Sequence, residues 1–225
     1  MFDPSADFAE IVDGAEVVTL LRRGSDSSGV GTLVAHALRG AATTSEVVFY
    51  SHSDVRKQMA AGGRCTSADV VWHLPVAELP VGPQLGDVIL DSNKQRWTIL
   101  AVRRAVHGTR WRCAARNLVM AHGLDDTISV LKAAYVKSSC GAAEPVWQTW
   151  KTGVRARIQP EEVTIQADAQ SRRTVRQYRI FVAEELVLDQ SHRILGPDGT
   201  AYRITSSLGA ERIGELQVIE AEVVR

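Results

Sequence analysis

The chain has 225 residues, with 26 Lys+Arg against 26 Asp+Glu, 45% hydrophobic and 23% charged residues, and no formal net charge. That balance is globular: it excludes a disordered tail and argues against a protein built to coat nucleic acid, which carries a basic excess. No apolar run reaches the length of a membrane span, and the length fits one large domain or two small ones.

The opening Met1-Phe2-Asp3-Pro4 carries acid where a signal peptide carries base, so a soluble, cytoplasmic chain is expected. Residues 4–12 form the first short helix candidate. Val17-Val18-Thr19-Leu20 reads as a strand, followed by a Ser- and Gly-rich loop through Gly29-Val30-Gly31-Thr32-Leu33-Val34. Residues 43–66, rich in Ser, His and Gly, read as an insertion. Within it 53–61 is a second helix candidate, with Ser53 or Asp54 as N-cap and Gly62-Gly63 as stop. Val70, Trp72, Leu74 and Val76 then alternate with Val71, His73 and Pro75, the period of a half-buried strand. Val88-Ile89-Leu90 runs into the polar turn Asp91-Ser92-Asn93-Lys94, and Trp97-Thr98-Ile99 leaves it. Arg103, Arg104, His107, Arg110 and Arg112 bracket the next hairpin loop.

A boundary is expected near His122-Gly123-Leu124-Asp125. Beyond it Thr127-Ile128-Ser129-Val130 reads as a strand, and 136–145 as a second insertion. Val154, Ala156 and Ile158 alternate with Arg155 and Arg157; Tyr178, Ile180 and Val182 alternate with Arg179 and Phe181. Arg172, Arg173, Arg176 and Arg179 cluster before and within that strand. Gly196-Pro197-Asp198-Gly199 places Pro where φ is already near −65° and Gly where a positive φ carries no Cβ penalty. In the last strand Leu216 and Val218 share one parity and Ile219, Ala221 and Val223 the other, a slip that a bulge would explain.

The two halves match in order. Ile89, Trp97 and Ile99 meet Ile194, Tyr202 and Ile204 at an offset of 105, and Cys113 then meets Val218. Trp72, Leu74 and Val76 meet Tyr178, Ile180 and Val182 at 106, and residues 17–20 meet 127–130 at 110. Four blocks in the same order indicate two copies of one β unit. The expected fold is therefore mainly β: two similar small β-barrel domains in tandem, residues 1–122 and 123–225, with short helices and long loops.

Trp150, the run Ala156-Arg157-Ile158, a Tyr-containing strand, residues 193–207 and a final acidic-alternating strand together resemble the head–tail connector proteins of tailed bacteriophages. These are small β-barrel stopper or head-completion proteins of the neck. The likeness is carried by 194–204, a strand, a G-P-D-G turn and an aromatic-x-Ile strand, and less cleanly by 89–99. It covers roughly 60 residues of the second copy. It implies a non-enzymatic virion protein at the neck, assembled in the host cytoplasm as a homo-oligomeric ring. Its implied partners are copies of itself, an adaptor or portal-side protein, and a tail or tail-terminator protein. Family members are mostly single-domain, so the tandem pair is a departure. A tail or baseplate component of similar fold is the other structural reading.

Chemical signatures are sparse. Gly29-x-Gly31 continues to Val34 where a nucleotide-binding loop has Gly. Cys65, Cys113 and Cys140 show no C-x-x-C, and the six His have no metal-ligand spacing, so no metal or cofactor is expected. His36 is expected on the inward parity with Val34 and Leu38, and His73 outward. Ser51-His52-Ser53-Asp54 holds triad residue types, but neighbours in sequence seldom make a triad. Asp91-Ser92-Asn93 lacks the rest of a calcium loop, and Glu184 and Glu185 point apart.

The two arginine groups, Arg103, Arg104, Arg110 and Arg112 in one copy and Arg172, Arg173, Arg176 and Arg179 in the other, could line a channel and touch DNA phosphates without reading sequence. They could equally pair with Asp or Glu of a neighbouring subunit or solvate a hairpin, and the neutral chain weighs toward that. A tandem binding module contacting DNA or another ligand through its hairpin loops is the alternative function. Trp147 and Trp150 cannot share one face of a straight strand; one ring is expected in the core and the other as an interface anchor.

Overall fold

The computed structural model describes residues 15–23, 31–41, 68–105, 108–137, 141–168 and 171–224, with side chains at all of these except 41, 105, 162–168 and 171–175. The chain divides into two compact units, 1–121 and 122–225. The helix candidates at 4–12 and 53–61 and the insertion at 43–66 lie outside the described residues.

In the first unit six strands close into a barrel: β1 (Glu16–Leu21), β2 (Thr32–Ala41), β3 (Asp69–Pro75), β4 (Val88–Leu90), β5 (Arg96–Ala105) and β6 (Arg110–Arg116). Their order around the barrel is β1-β2-β3-β6-β5-β4, antiparallel throughout, with β4 returning to β1. Residues 32–34, expected in a loop, are already strand: β2 must start there to pair with Val18–Leu20. The second unit repeats the plan with β7 (Asp126–Lys137), β8 (Ala143–Asp168), β9 (Ser171–Val182), β10 (His192–Leu195), β11 (Ala201–Leu208) and β12 (Gln217–Val223). Its order, β7-β8-β9-β12-β11-β10, is the first order shifted by six. A five-residue helix α1 (Leu118–His122) follows β6; Asn117 caps it by accepting from Met120 N at 3.1 Å, and Gly123 ends it at φ 59°.

Between the bulges inward residues alternate along the strands and fill each barrel. The first core is built on Val18, Leu20, Trp72, Leu74, Ile89 and Ile99, and the second on Ile128, Val130, Ile180, Val182, Ile194 and Ile219. Trp97 and Tyr202 are both buried at the start of their strands. Each makes an edge-on aromatic pair: Trp97 with Trp72 at 6.3 Å, Tyr202 with Tyr178 at 5.2 Å.

The strand pairings correct two details of the internal repeat. Counted through the paired strands from Ile99 and Ile204, Cys113 answers to Ile219, not Val218; across the next pairing Trp72, opposite Cys113, answers to Ile180, opposite Ile219, and not to Tyr178. The slip at Trp72 is two residues and keeps the face; that at Cys113 is one and exchanges it. The bulge lies not in the last strand but in its neighbour. In β5 the register skips Leu100, between Ile99 and Ala101, and in β11 it skips Thr205, between Ile204 and Ser206. β12 itself keeps one inward parity, Gln217, Ile219 and Ala221. Gln217 was unexpected in a core. Its amide is satisfied there: Oε1 accepts from Leu186 N at 2.7 Å, and Nε2 donates to Leu186 O at 2.8 Å and Ser207 Oγ at 2.9 Å.

The β4–β5 and β10–β11 turns superimpose in their bonding. Asp91 N donates to Gln95 O and Lys94 N to Asp91 O, as Gly196 N does to Thr200 O and Gly199 N to Gly196 O. Both turns need a positive φ at one position: 63° at Lys94 and 82° at Gly199. Asp91 also does what Gly196 cannot. Its buried carboxylate accepts from Asn93 N, Gln95 N and Trp97 Nε1 at 2.9, 2.8 and 3.0 Å, and lies 3.5 Å from Arg39 Nη1. The Arg39 guanidinium in turn covers the Trp72 and Trp97 rings at 5.8 and 5.6 Å.

Two stability outcomes follow from these turns. Asp91→Ala strands three donors, one of them buried, and lowers unfolding stability by ~3 kcal/mol; Asp198→Ala, on an exposed carboxylate, costs far less. Lys94→Gly raises stability by up to about 1 kcal/mol and Gly199→Ala lowers it by about as much, because no atom crowds a Cβ at Gly199 and only φ is at stake. Urea unfolding of the four variants measures both contrasts.

Candidate functional site

The first arginine group is split between the two faces by simple strand alternation. Arg103 pairs directly with Arg112 and Arg104 with Trp111 across β5 and β6, while His73 of β3 pairs with Arg112 from the other side. His73, Arg112 and Arg103 therefore form one row across the outer face of three strands, with Arg110 on the same parity. Arg104 falls on the opposite parity at the barrel's end. It donates to Gly108 O at 3.1 Å and lies over the Trp111 ring at 5.6 Å. Like charges placed directly opposite each other oppose pairing, and this row persists with His73 uncharged. Burial first, and then the charge of Arg110, lower the His73 pKa from 6.5 to about 4.

The second group divides differently. Arg172 and Arg173 lie on β9 opposite Ala167 and Gln166, and their side chains fall outside the described residues. Arg176 is exposed on the parity of Tyr178. Arg179 is on the other face, in an ion pair with Glu161 at 2.6 Å. Of the alternatives for Arg179, an acidic partner is thus present, and it comes from the same unit.

Neither tryptophan is in a core cluster, which corrects the expected division between core and anchor. β8 bulges opposite Val130 and Leu131, so the alternation is broken between the two rings. Trp147 is half-buried under the Arg193 guanidinium, 4.0 Å from its ring centroid, and Trp150 is 42% exposed and tilted against His192 at 5.1 Å. His36 also departs from its expected place. A bulge between β1 and β2 leaves Val34 and Ala37 inward, and His36 turns out to Glu78, with Nδ1 2.5 Å from Oε1.

The structure brings together Asp189, Ser191 and His192, which sequence spacing did not single out. Ser191 Oγ donates to Asp189 Oδ1 at 2.5 Å, and His192 Nδ1 lies 2.8 Å from the same oxygen. Serine and histidine thus share the carboxylate and do not activate each other, so no nucleophile results. The Ser191 hydroxyl and backbone N–H, with smaller help from His192, hold Asp189 down at about 2. The constellation is a loop clasp. The same corner of the first barrel is closed by buried Asp87, which accepts from Arg22 Nη1, Arg23 N and Gln84 N. Cys113 is buried in the core, which raises its pKa and keeps the thiol protonated. Among the described residues no cluster of three or more His, Cys, Asp or Glu could hold a metal, and no helix is long and apolar enough to cross a membrane.

What the sequence reading missed is the length of two hairpins. β8 runs 26 residues, but its barrel pairings on both sides meet only near Ala156, the partner of both Asp126 and Val182. From there β8 continues in both directions. Toward its start it pairs only with β7, out to Lys137 opposite Ala143; toward its end it pairs only with β9, out to Asp168 opposite Ser171. The first of these arms exposes Tyr135 (67%), Val136 (54%) and Val146 (47%). The uncharged run from Ala133 to Val136 between Lys132 and Lys137 was the available signal.

No protein family matches the chain, and no curated protein matches it by sequence. Among solved structures it is similar to a chain of the virion of a native gene transfer agent particle, with 18% identity and a TM-score of 0.35, over 44% of this chain and 93% of that one.

The His73 shift fixes a pH dependence. Its folded pKa, about 4, lies below the ordinary 6.5, so between these values the unfolded chain binds the extra proton. The contribution is fully present above pH 6.5 and is lost as pH falls toward 4. His73→Gln flattens that part of the stability-against-pH curve; an imidazole titrating near 6.5 by NMR in the folded protein would refute it.

Proposed function

We propose that this chain is a structural, non-enzymatic virion protein of the phage head–tail interface, a connector or neck subunit that assembles into a homo-oligomeric ring. One observation carries the reading: a 26-residue strand, β8, that outruns its own barrel at both ends. A closed barrel removes its strand edges, which suits a rigid block that must not aggregate. Hairpins projecting from such a block with exposed Tyr135, Val136 and Val146 add nothing to its own core and give it reach toward neighbours. The motif that resembles connector proteins, residues 194–204, is the β10–turn–β11 hairpin, an integral part of the second barrel.

In this reading the ring joins an adaptor or portal-side protein to a tail or tail-terminator protein, and is assembled in the host cytoplasm. A heterologous interface with the right rotation closes such a ring. The row of Arg112, Arg103 and Arg110 supports a second reading, a tandem module that holds DNA by its phosphates, and it is compatible with a ring lumen that touches passing DNA.

Disrupting the gene should leave heads and tails unjoined under the electron microscope, and the chain should be present in purified intact particles. Tailed particles that form normally without it would overturn the assignment. The second reading predicts binding of duplex DNA by the isolated chain that weakens steeply with salt; a flat titration at low salt would remove it.

A further inference from the structure

The two barrels share one plan, so the same outer position can be compared in both. Thr19 of β1 pairs with Leu33 of β2 and Leu90 of β4, and Leu21 pairs with Val88. With Val17 these residues make an apolar outer face on the first barrel, on which Leu33 is 66% and Val17 48% exposed. Gly31 keeps its near end bare, because a Cβ there would run into Thr19 and Leu21. On the second barrel Thr127 stands where Val17 does, and Arg193 where Val88 does. Leu131 and Leu195 still stand where Leu21 and Leu90 do, so the second face is apolar in part; at the Val17 and Val88 positions the fold accepts a polar or charged side chain. An apolar sheet face left in water at a position that tolerates arginine marks a contact surface.

The second unit carries an apolar counterpart. The β7–β8 arm shows Tyr135 on one face and Val136 and Val146 on the other, with Ala133, Ala134 and Ala143 between. Pro145, opposite Tyr135, has no N–H to offer a strand added at the β8 edge, which favours packing of the arm by its side chains. Lys132 and Lys137 flank its uncharged run, with Glu144 opposite Val136. Glu16 at the start of β1 and Glu78, held on Ala35 N and His36 of β2, border the face on the first barrel.

We infer that the β7–β8 arm of one copy docks on the β1–β2–β4 outer face of a second copy of this chain. Tyr135, Val136 and Val146 of the arm cover Val17 and Leu33, and Lys132 and Lys137 approach Glu16 and Glu78. Arm and face are different surfaces of the chain, so the contact is of the heterologous kind that can pass from copy to copy and close a ring. The inference rests on the ring-forming reading above and specifies its interface.

The test uses the full chain. Leu33→Asp and Tyr135→Asp each alter an exposed side chain, and each should weaken self-association, followed by sedimentation or light scattering, at least about tenfold. Mixed together, the two variants should form a dimer and nothing larger, because one intact arm still meets one intact face. The dimer also shows that both variants are folded. With p-benzoylphenylalanine in place of Tyr135, photo-crosslinks between isotopically distinct copies should fall in 17–21 or 31–35. Self-association that survives both substitutions, or crosslinks that land elsewhere, would overturn this interface and leave the ring reading standing. A chain that stays monomeric at high concentration and on particles would overturn both.

Discussion

Closing six short strands into a barrel is the constraint on which the rest depends. A sheet this small must coil sharply, and the extra residue of a bulge supplies the local twist. The two barrels place that residue at the same point, Leu100 in β5 and Thr205 in β11, each just after the isoleucine that fills the core. The bulge also decides what faces water. Beyond Leu100 the parity is exchanged, so Val102 packs against the core and Arg103 turns outward beside Arg112. A straight β5 would point Arg103 into the barrel.

Closure also governs the polar groups. Each barrel end must be stoppered, and the two units solve this with different chemistry on the same frame. Asp91 gathers a turn, an indole N–H and Arg39 into one buried cluster, where Gly196 relies on its backbone alone. Asp87 holds one corner through Arg22; His192 holds the other against Asp189 and Trp150. Conserving the bonding of a turn while changing its side chains is what a shared backbone plan allows.

With edges removed by closure, the assembly proposed above needs surface that is added to the barrels or left apolar. The arms formed by β8 with β7 and β9 are the addition, and the face around Leu33 is the apolar surface. The arginines that drew attention in the sequence are partly absorbed by the barrels: Arg179 by Glu161, Arg104 by Gly108 and the Trp111 ring. Arg112 and Arg103 lie opposite each other on the outer face, beside His73, whose pKa is lowered to about 4.

Period-two alternation, aromatic-led strands and turn chemistry in the same order twice were enough to read two similar barrels from the chain. These signals are local: each reports which side of a strand is buried, and neither Gly199 nor Lys94 needs distant information to turn the chain. Registers were legible only to within a residue or two, because alternation is blind to a two-residue slip and low identity gives it no anchor. Tertiary structure alone decided three things. It located the bulges, which depend on the curvature of closure. It turned His36 to Glu78 and both tryptophans out of the core, since bulged strands no longer follow simple parity. It also revealed that β8 extends past the barrel, because where a strand ceases to be enclosed depends on the length of its neighbours and not on its own residues.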